Sequence, residues 1–188
     1  WLYEEEFGSY DGYRWSPDSK NILFFREDQS MVKIFTFLDE TNLYPEVKQV
    51  NYPKAGEENP TVKSGVVSVR GGRTSWLHFE ENEDMYFPKA TWFEDQPAVA
   101  RLNRKQNHLE WFKFDKRFRN QEIIIEDIDS AWVDVHESPL FLTDGSFLFT
   151  SERSGYRHIF YADNNGNSIN QVTNGEWEVK RLVDVDQD

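Results

Sequence analysis

Phe141-Leu142-Thr143-Asp144-Gly145-Ser146-Phe147-Leu148-Phe149 places a ring three residues before an Asp that turns the chain into an apolar strand. Trp92-Phe93-Glu94-Asp95, followed by Gln96-Pro97-Ala98-Val99-Ala100, repeats that order. Trp15-Ser16-Pro17-Asp18, leading to Ile22-Leu23-Phe24-Phe25, is a third copy. The three aspartates lie 77 and 49 residues apart. The second spacing matches the period of about 40–50 residues of a four-stranded propeller blade. The first fits one blade plus an insertion, for which the polar, Pro-bearing stretch from Asp39 to Pro60 is the candidate. An irregular β-sandwich predicts no such period. At this period the chain holds three full blades and a leading piece, an open arc whose end faces await a neighbouring blade.

The rest of the sequence agrees. Apolar residues come in short runs: Ile22 to Phe25, Val32 to Leu38, Val62 to Val69, Ala98 to Leu102, Leu109 to Phe114, Ile123 to Ile125, Phe147 to Phe149 and Ile159 to Tyr161. Turn residues separate them, among them Gly71-Gly72, Asn164 to Asn167 and Asn174-Gly175. Many short strands between polar turns read as all-β. No segment sustains a 3.6-residue period over three turns, so helix is limited to a turn or two near Glu4 to Phe7. In Leu109-Glu110-Trp111-Phe112-Lys113-Phe114 both alternating faces carry apolar residues, as in a strand covered on both sides.

Composition excludes several classes. Among 188 residues, 21 Lys and Arg face 34 Asp and Glu, a net charge of −13. Nucleic acid and anionic membrane surfaces are therefore unsuitable partners. There is no cysteine, hence no disulfide, zinc thiolate or cysteine nucleophile. Mean hydropathy is −0.77, yet 16% of residues are aromatic, which belongs to a folded chain rather than a disordered acidic one. No apolar run approaches a membrane span, no secretory leader opens the chain, and the first residue is Trp1; the sequence reads as a piece of a longer protein. No Gly-x-Ser-x-Gly elbow, glycine-rich phosphate loop or paired-His metal motif occurs, and no cofactor is expected. His78, His108, His136 and His158 read as surface or structural residues.

Glu4-Glu5-Glu6, between Tyr3 and Phe7, is the lead that remains. One reading is a solvated acidic run. The other is a cation site, because adjacent carboxylates repel and a bound ammonium with three donors relieves that cost. In a regular strand neighbouring side chains point to opposite faces, so joint action requires a turn or short helix. Tyr52-Pro53-Lys54-Ala55-Gly56-Glu57-Glu58-Asn59-Pro60 reads as a long connection held in a defined shape by its two prolines.

Taken together these residues resemble the dipeptidyl peptidase IV family, in a bacterial style. Trp1-Leu2-Tyr3-Glu4-Glu5-Glu6-Phe7, Trp15 to Lys20, Tyr52 to Val62, Thr150 to His158 and Thr173 to Val179 look like its motifs, in its order and from end to end. The resemblance implies about three to four blades of an eight-bladed propeller, all of residues 1–188, with the α/β-hydrolase domain of the same chain absent. It implies a parent serine peptidase that releases N-terminal dipeptides, preferably with proline second, and a location outside the cytoplasm. It implies that Glu5 and Glu6 hold the free amine of a peptide substrate, with Glu4 flanking them. The catalytic serine, aspartate and histidine, and the propeller arginine of the family, fall outside this sequence, so this fragment alone is expected to be inactive. The family's aromatic-arginine pair would fall near Val135-His136, where the residues differ, and nothing is carried over there. A non-catalytic propeller that binds a protein partner is the alternative, and the open ends leave room for pairing with a second copy. A sugar-cleaving propeller needs acids facing across a pocket, which sequence-adjacent glutamates fit poorly.

Overall fold

The structure, a computed structural model, describes residues 2–79 and 84–187; Trp1, the first residue of the acidic motif, lies outside them. A short helix α1 (Leu2–Phe7) comes first. It is followed by β1 (Tyr13–Trp15), β2 (Asn21–Asp28), β3 (Ile34–Asp39), β4 (Glu46–Asn51), β5 (Thr61–Ser68) and β6 (Ser75–Trp76). Next come β7 (Met85–Tyr86), β8 (Ala90–Phe93), β9 (Gln96–Asn103), β10 (His108–Phe114) and β11 (Gln121–Ile128). The last group is β12 (Leu140–Phe141), β13 (Phe147–Ser151), β14 (His158–Ala162) and β15 (Ile169–Gln171). Three antiparallel meanders result, in the orders β1-β2-β5-β6, β7/β8-β9-β10-β11 and β12-β13-β14-β15. They are three propeller blades, and the leading piece is α1.

The sequence repeat is the turn from the first strand of each blade into the second. Trp15 ends β1, Trp92 lies in β8, Phe141 ends β12, and the aspartate follows in the turn. The rings join successive blades. Trp92 Nε1 donates to the Arg14 carbonyl in β1 at 3.1 Å. The rings of Phe93 and Phe141 lie 5.1 Å apart. First strand thus meets first strand, as in blades arranged around one axis.

Two of the aspartates lock their turns by local hydrogen bonds. Asp18 Oδ1 accepts from Ser16 Oγ at 2.7 Å and from the Lys20 amide at 3.1 Å. Asp144 Oδ1 accepts from the hydroxyl and the amide of Ser146. The Ser16 hydroxyl, then Lys20, lower the Asp18 carboxyl to about 2, and Ser146 lowers Asp144. A pKa depressed in the folded state gives stability that is present above the unfolded value of about 3.9 and is lost as pH falls through the folded one. The urea midpoint is therefore expected to drop between about pH 4 and pH 2. Asp18→Asn with Asp144→Asn flattens that drop; an unchanged slope in urea titrations at several pH values would contradict the assignment.

The middle blade forms the centre of the core. In β10, Leu109 and Trp111 are buried on one side and Phe112 and Phe114 on the other, with a bulge between Trp111 and Phe112. Phe79, from the first blade's last connection, sets its ring 5.4 Å from Phe112 and 5.3 Å from Phe114. Toward the third blade, Lys113 Nζ donates to the Asn164 carbonyl and pairs with Glu122 at 2.9 Å. Gly166 adopts φ 73° in the same turn, and a Cβ there would overlap the Ile124 carbonyl of β11. Only glycine meets both demands.

The insertion in the first blade starts before Asp39. The chain leaves β2 at Asp28, forms the β3–β4 hairpin, and re-enters at β5. Glu46–Asn51 pairs only with Ile34–Asp39, in a two-stranded sheet of its own. Its polar, exposed strand carries little apolar signal, which is why it reads as connection. Without this excursion the first repeat comes close to the length of the second.

Candidate functional site

A six-residue helix is marginal in water and needs tertiary support. In α1 that support comes from Tyr3 and Phe7, four apart and so on one face. Both are buried, with ring centroids 5.6 Å apart, and Phe7 sits 5.3 Å from the ring of Tyr86. The first strand of the middle blade is broken at Phe87-Pro88-Lys89, between β7 and β8. Proline has no amide hydrogen to give to a ladder, and the helix docks at this break. The Phe87 amide donates to Tyr3 Oη at 3.0 Å, and Lys89 Nζ donates to the Phe7 carbonyl at 3.2 Å. Burial pushes the Tyr3 phenol above its usual range, so it stays neutral. Gly8, at φ 57°, ends the helix, and its amide bonds back to the Glu4 carbonyl.

With one face held in this way, Glu4, Glu5 and Glu6 all emerge exposed on the helix. Adjacent positions on a helix differ by about 100°, so Glu5 and Glu6 meet different neighbours. Glu5 Oε2 accepts from Tyr52 Oη at 2.7 Å. Glu6 Oε2 accepts from Gln106 Nε2 at 3.3 Å. Both donors are neutral. These contacts orient each carboxylate without an ion pair, and both lie on one helical turn. The Glu5 carboxylate raises the Tyr52 phenol, with Glu6 adding to the effect.

The partners are themselves fixed. Tyr52 follows β4, and its amide donates to the Lys33 carbonyl at 3.1 Å. The loop after it is tied down by Asn59 Nδ2 on Tyr86 Oη at 3.0 Å and by Arg104 Nη2 on the Glu57 carbonyl at 2.9 Å. Gln106 occupies the β9–β10 turn at φ 55°, and its carbonyl accepts from the Val133 amide at 2.8 Å. Trp132 therefore lies beside the turn that holds Glu6, and its Nε1 donates to Asp134 Oδ1 at 3.0 Å. At Val135-His136, the Arg157 guanidinium lies 2.8 Å from His136 Nδ1.

Sequence reading singles out the two glutamates but neither Tyr52, which the structure places against Glu5, nor Gln106, which it places against Glu6. Gln106 lies 100 residues from Glu6 and has no local signal. The fold also gathers His–carboxylate clusters that no spacing predicts. His108, Glu110 and Glu126 form one, and Asp134, His136 and Glu152 the other. In the first, Arg101 already supplies positive charge to Glu110 at 2.6 Å. In the second, the Arg157 guanidinium already lies 2.8 Å from His136 Nδ1. Among the described residues no helix is long and apolar enough to cross a membrane.

Over its whole length the chain is 28% identical to a probable dipeptidyl peptidase 4 of Emericella nidulans, 27% of whose length it spans. It is 31% identical to the inactive dipeptidyl peptidase 10 of Rattus norvegicus, with all of this chain and 26% of that protein aligned. It spans about a quarter of these curated relatives. The crystal structure of Porphyromonas gingivalis dipeptidyl peptidase 4 superposes with a TM-score of 0.90 at 33% identity, over 100% of this chain and 27% of that one. The family model described as dipeptidyl peptidase IV (DPP IV) N-terminal region matches residues 1–188, and the chain belongs to that family.

Proposed function

We propose that this chain is the amine-recognition segment of a serine-type dipeptidyl peptidase, in which Glu5 and Glu6 hold the free N-terminus of a peptide. The observation that carries this reading is the pair of charged carboxylates on α1, each oriented by a neutral donor. An α-ammonium brings three donors and a positive charge. Bonds between ionised groups are about twice as strong as neutral ones. Anchoring the amine fixes the distance to a catalytic centre elsewhere in the parent, so the pair acts as a ruler. The parent accordingly releases dipeptides, with proline preferred second, and works outside the cytoplasm on peptides with free amino ends.

The ruler has a direct test. Peptides that share one interior sequence but carry one or two extra leading residues are given to the full-length parent, and first products are read by mass spectrometry. The cut is expected to move with the amine and stay two residues in. A cut that remains at one interior sequence overturns the reading. The similarity to an inactive dipeptidyl peptidase favours one alternative, a non-catalytic propeller that binds a protein partner. A Gly-x-Ser-x-Gly elbow in the remainder of the parent chain decides for the peptidase.

A further inference from the structure

Asn165-Gly166 and Asn174-Gly175 are the two Asn-Gly pairs of the sequence, and both asparagines are exposed. Their glycines are held differently. The Gly166 amide donates to the Asp163 carbonyl at 2.9 Å, and Asp163 Oδ1 accepts from the Asn165 and Asn167 amides at 3.2 and 2.8 Å. Among the described residues no acceptor meets the Gly175 amide. What is held at the second pair lies on either side of Asn174. Thr173 Oγ1 is 3.1 Å from His158 Nδ1, and the Gly175 carbonyl oxygen is 3.0 Å from His158 Nε2. His158, the first residue of β14, is 1% exposed, and the Trp177 ring stands perpendicular to it at 5.1 Å. Glycine is required at 175, where φ is 130° and a Cβ would stand 2.4 Å from Trp177 Nε1.

We propose that Asn174 is a modification site, at which the chain deamidates without an enzyme and the isoaspartate formed releases His158. The Gly175 nitrogen attacks Asn174 Cγ and loses its proton; the side-chain nitrogen leaves as ammonia, and a five-membered imide closes. Water then opens the imide. Cleavage of the bond from nitrogen to Cγ gives aspartate, and cleavage of the bond from nitrogen to the main-chain carbonyl carbon gives isoaspartate. No oxidant or reductant takes part. A glycine nitrogen has no side chain beside it to hinder the attack, and at 175 it gives up no hydrogen bond to react. At 166 the same step breaks the bond to Asp163, in a turn packed so closely on β11 that a Cβ would overlap the Ile124 carbonyl. Isoaspartate routes the backbone through Cβ and Cγ, which adds one carbon and about 1.5 Å of chain. That carbon enters between the two residues that grip one imidazole, and a hydrogen bond spans only about 2.7–3.2 Å. The grip of Thr173 and Gly175 on His158 is therefore lost.

The test incubates the full-length parent in native buffer at mildly alkaline pH, beside two synthetic peptides that carry the Asn165 and Asn174 segments unfolded. Deamidation is mapped by mass spectrometry. Asn174 is expected to keep pace with its peptide. Asn165 is expected to lag its own by about tenfold or more, the factor that one retained hydrogen bond supplies. A lag at Asn174 as long as that at Asn165 overturns the assignment. Asn174→Gln, which cannot close a five-membered imide, stops conversion at that position. Release is read with diethyl pyrocarbonate, which acylates accessible imidazoles. His158 is expected to stay unlabelled in fresh protein and in Asn174→Asp, which has the charge without the added carbon, and to be labelled in the isoaspartate fraction. An unchanged melting temperature verifies that both variants fold. A protected His158 in the isoaspartate fraction, or a labelled one in Asn174→Asp, overturns the release.

Discussion

Glu5→Gln with Glu6→Gln in the full-length parent is expected to lower kcat/KM for a free-amine dipeptidyl substrate by about a hundred- to a thousandfold. Two hydrogen bonds to charged groups are lost, each about 1.5–3 kcal/mol, and about 1.4 kcal/mol is tenfold. The lower part of the range applies because both carboxylates are exposed. Glutamine preserves shape and a carbonyl acceptor, so the loss reports charge rather than packing. A thermodynamic cycle separates anchoring from folding. Wild type is expected to cut the N-acetylated substrate about as poorly as the double variant cuts the free one. The double variant should gain nothing further from a free amine. Full activity of the double variant, or equal wild-type cleavage of free and acetylated substrates, ends the amine-anchor reading. Folding is not at stake, since the buried face of α1 is made by Tyr3 and Phe7.

The second large effect is on stability. Arg101 and Glu110 face one another on β9 and β10, both buried. Arg101 donates to Glu110 Oε2 from Nε at 2.9 Å and from Nη2 at 2.6 Å, and its guanidinium lies 4.7 Å from the Phe112 ring centroid. Arg101→Met leaves a carboxylate buried beside β10 without that donor and is expected to cost about 3–5 kcal/mol. Adding Glu110→Leu removes the stranded charge and recovers most of the loss, because a buried ion pair replaced by apolar groups is often neutral. Urea midpoints of the wild type, single and double variants check both statements. A single variant within 1 kcal/mol of wild type, on the scale of an exposed pair, would show that this pair is not desolvated.

Much of the fold is legible from short range. The ring–Asp turn, the period-two runs and the apolar density of Leu109 to Phe114 are local, and each constrains a few residues' dihedrals and the face they bury. The repeat therefore locates the turn from the first into the second strand of all three blades. β4 escapes because Glu46–Asn51 pairs with one partner and is solvated. Short first strands such as β7 and β12 escape because two residues carry no periodicity.

For the candidate site the division is different. Tyr3-Glu4-Glu5-Glu6-Phe7 by itself determines that a helix formed there has both rings on one face with the acids outside it, since i,i+4 spacing sets that division. Only the tertiary structure decides that the helix sits at the proline break of the middle blade and that Tyr52 and Gln106 orient the two acids. Side-chain periodicity is written into consecutive residues, whereas a hydrogen bond across 47 or 100 residues depends on how blades and insertion close around one another.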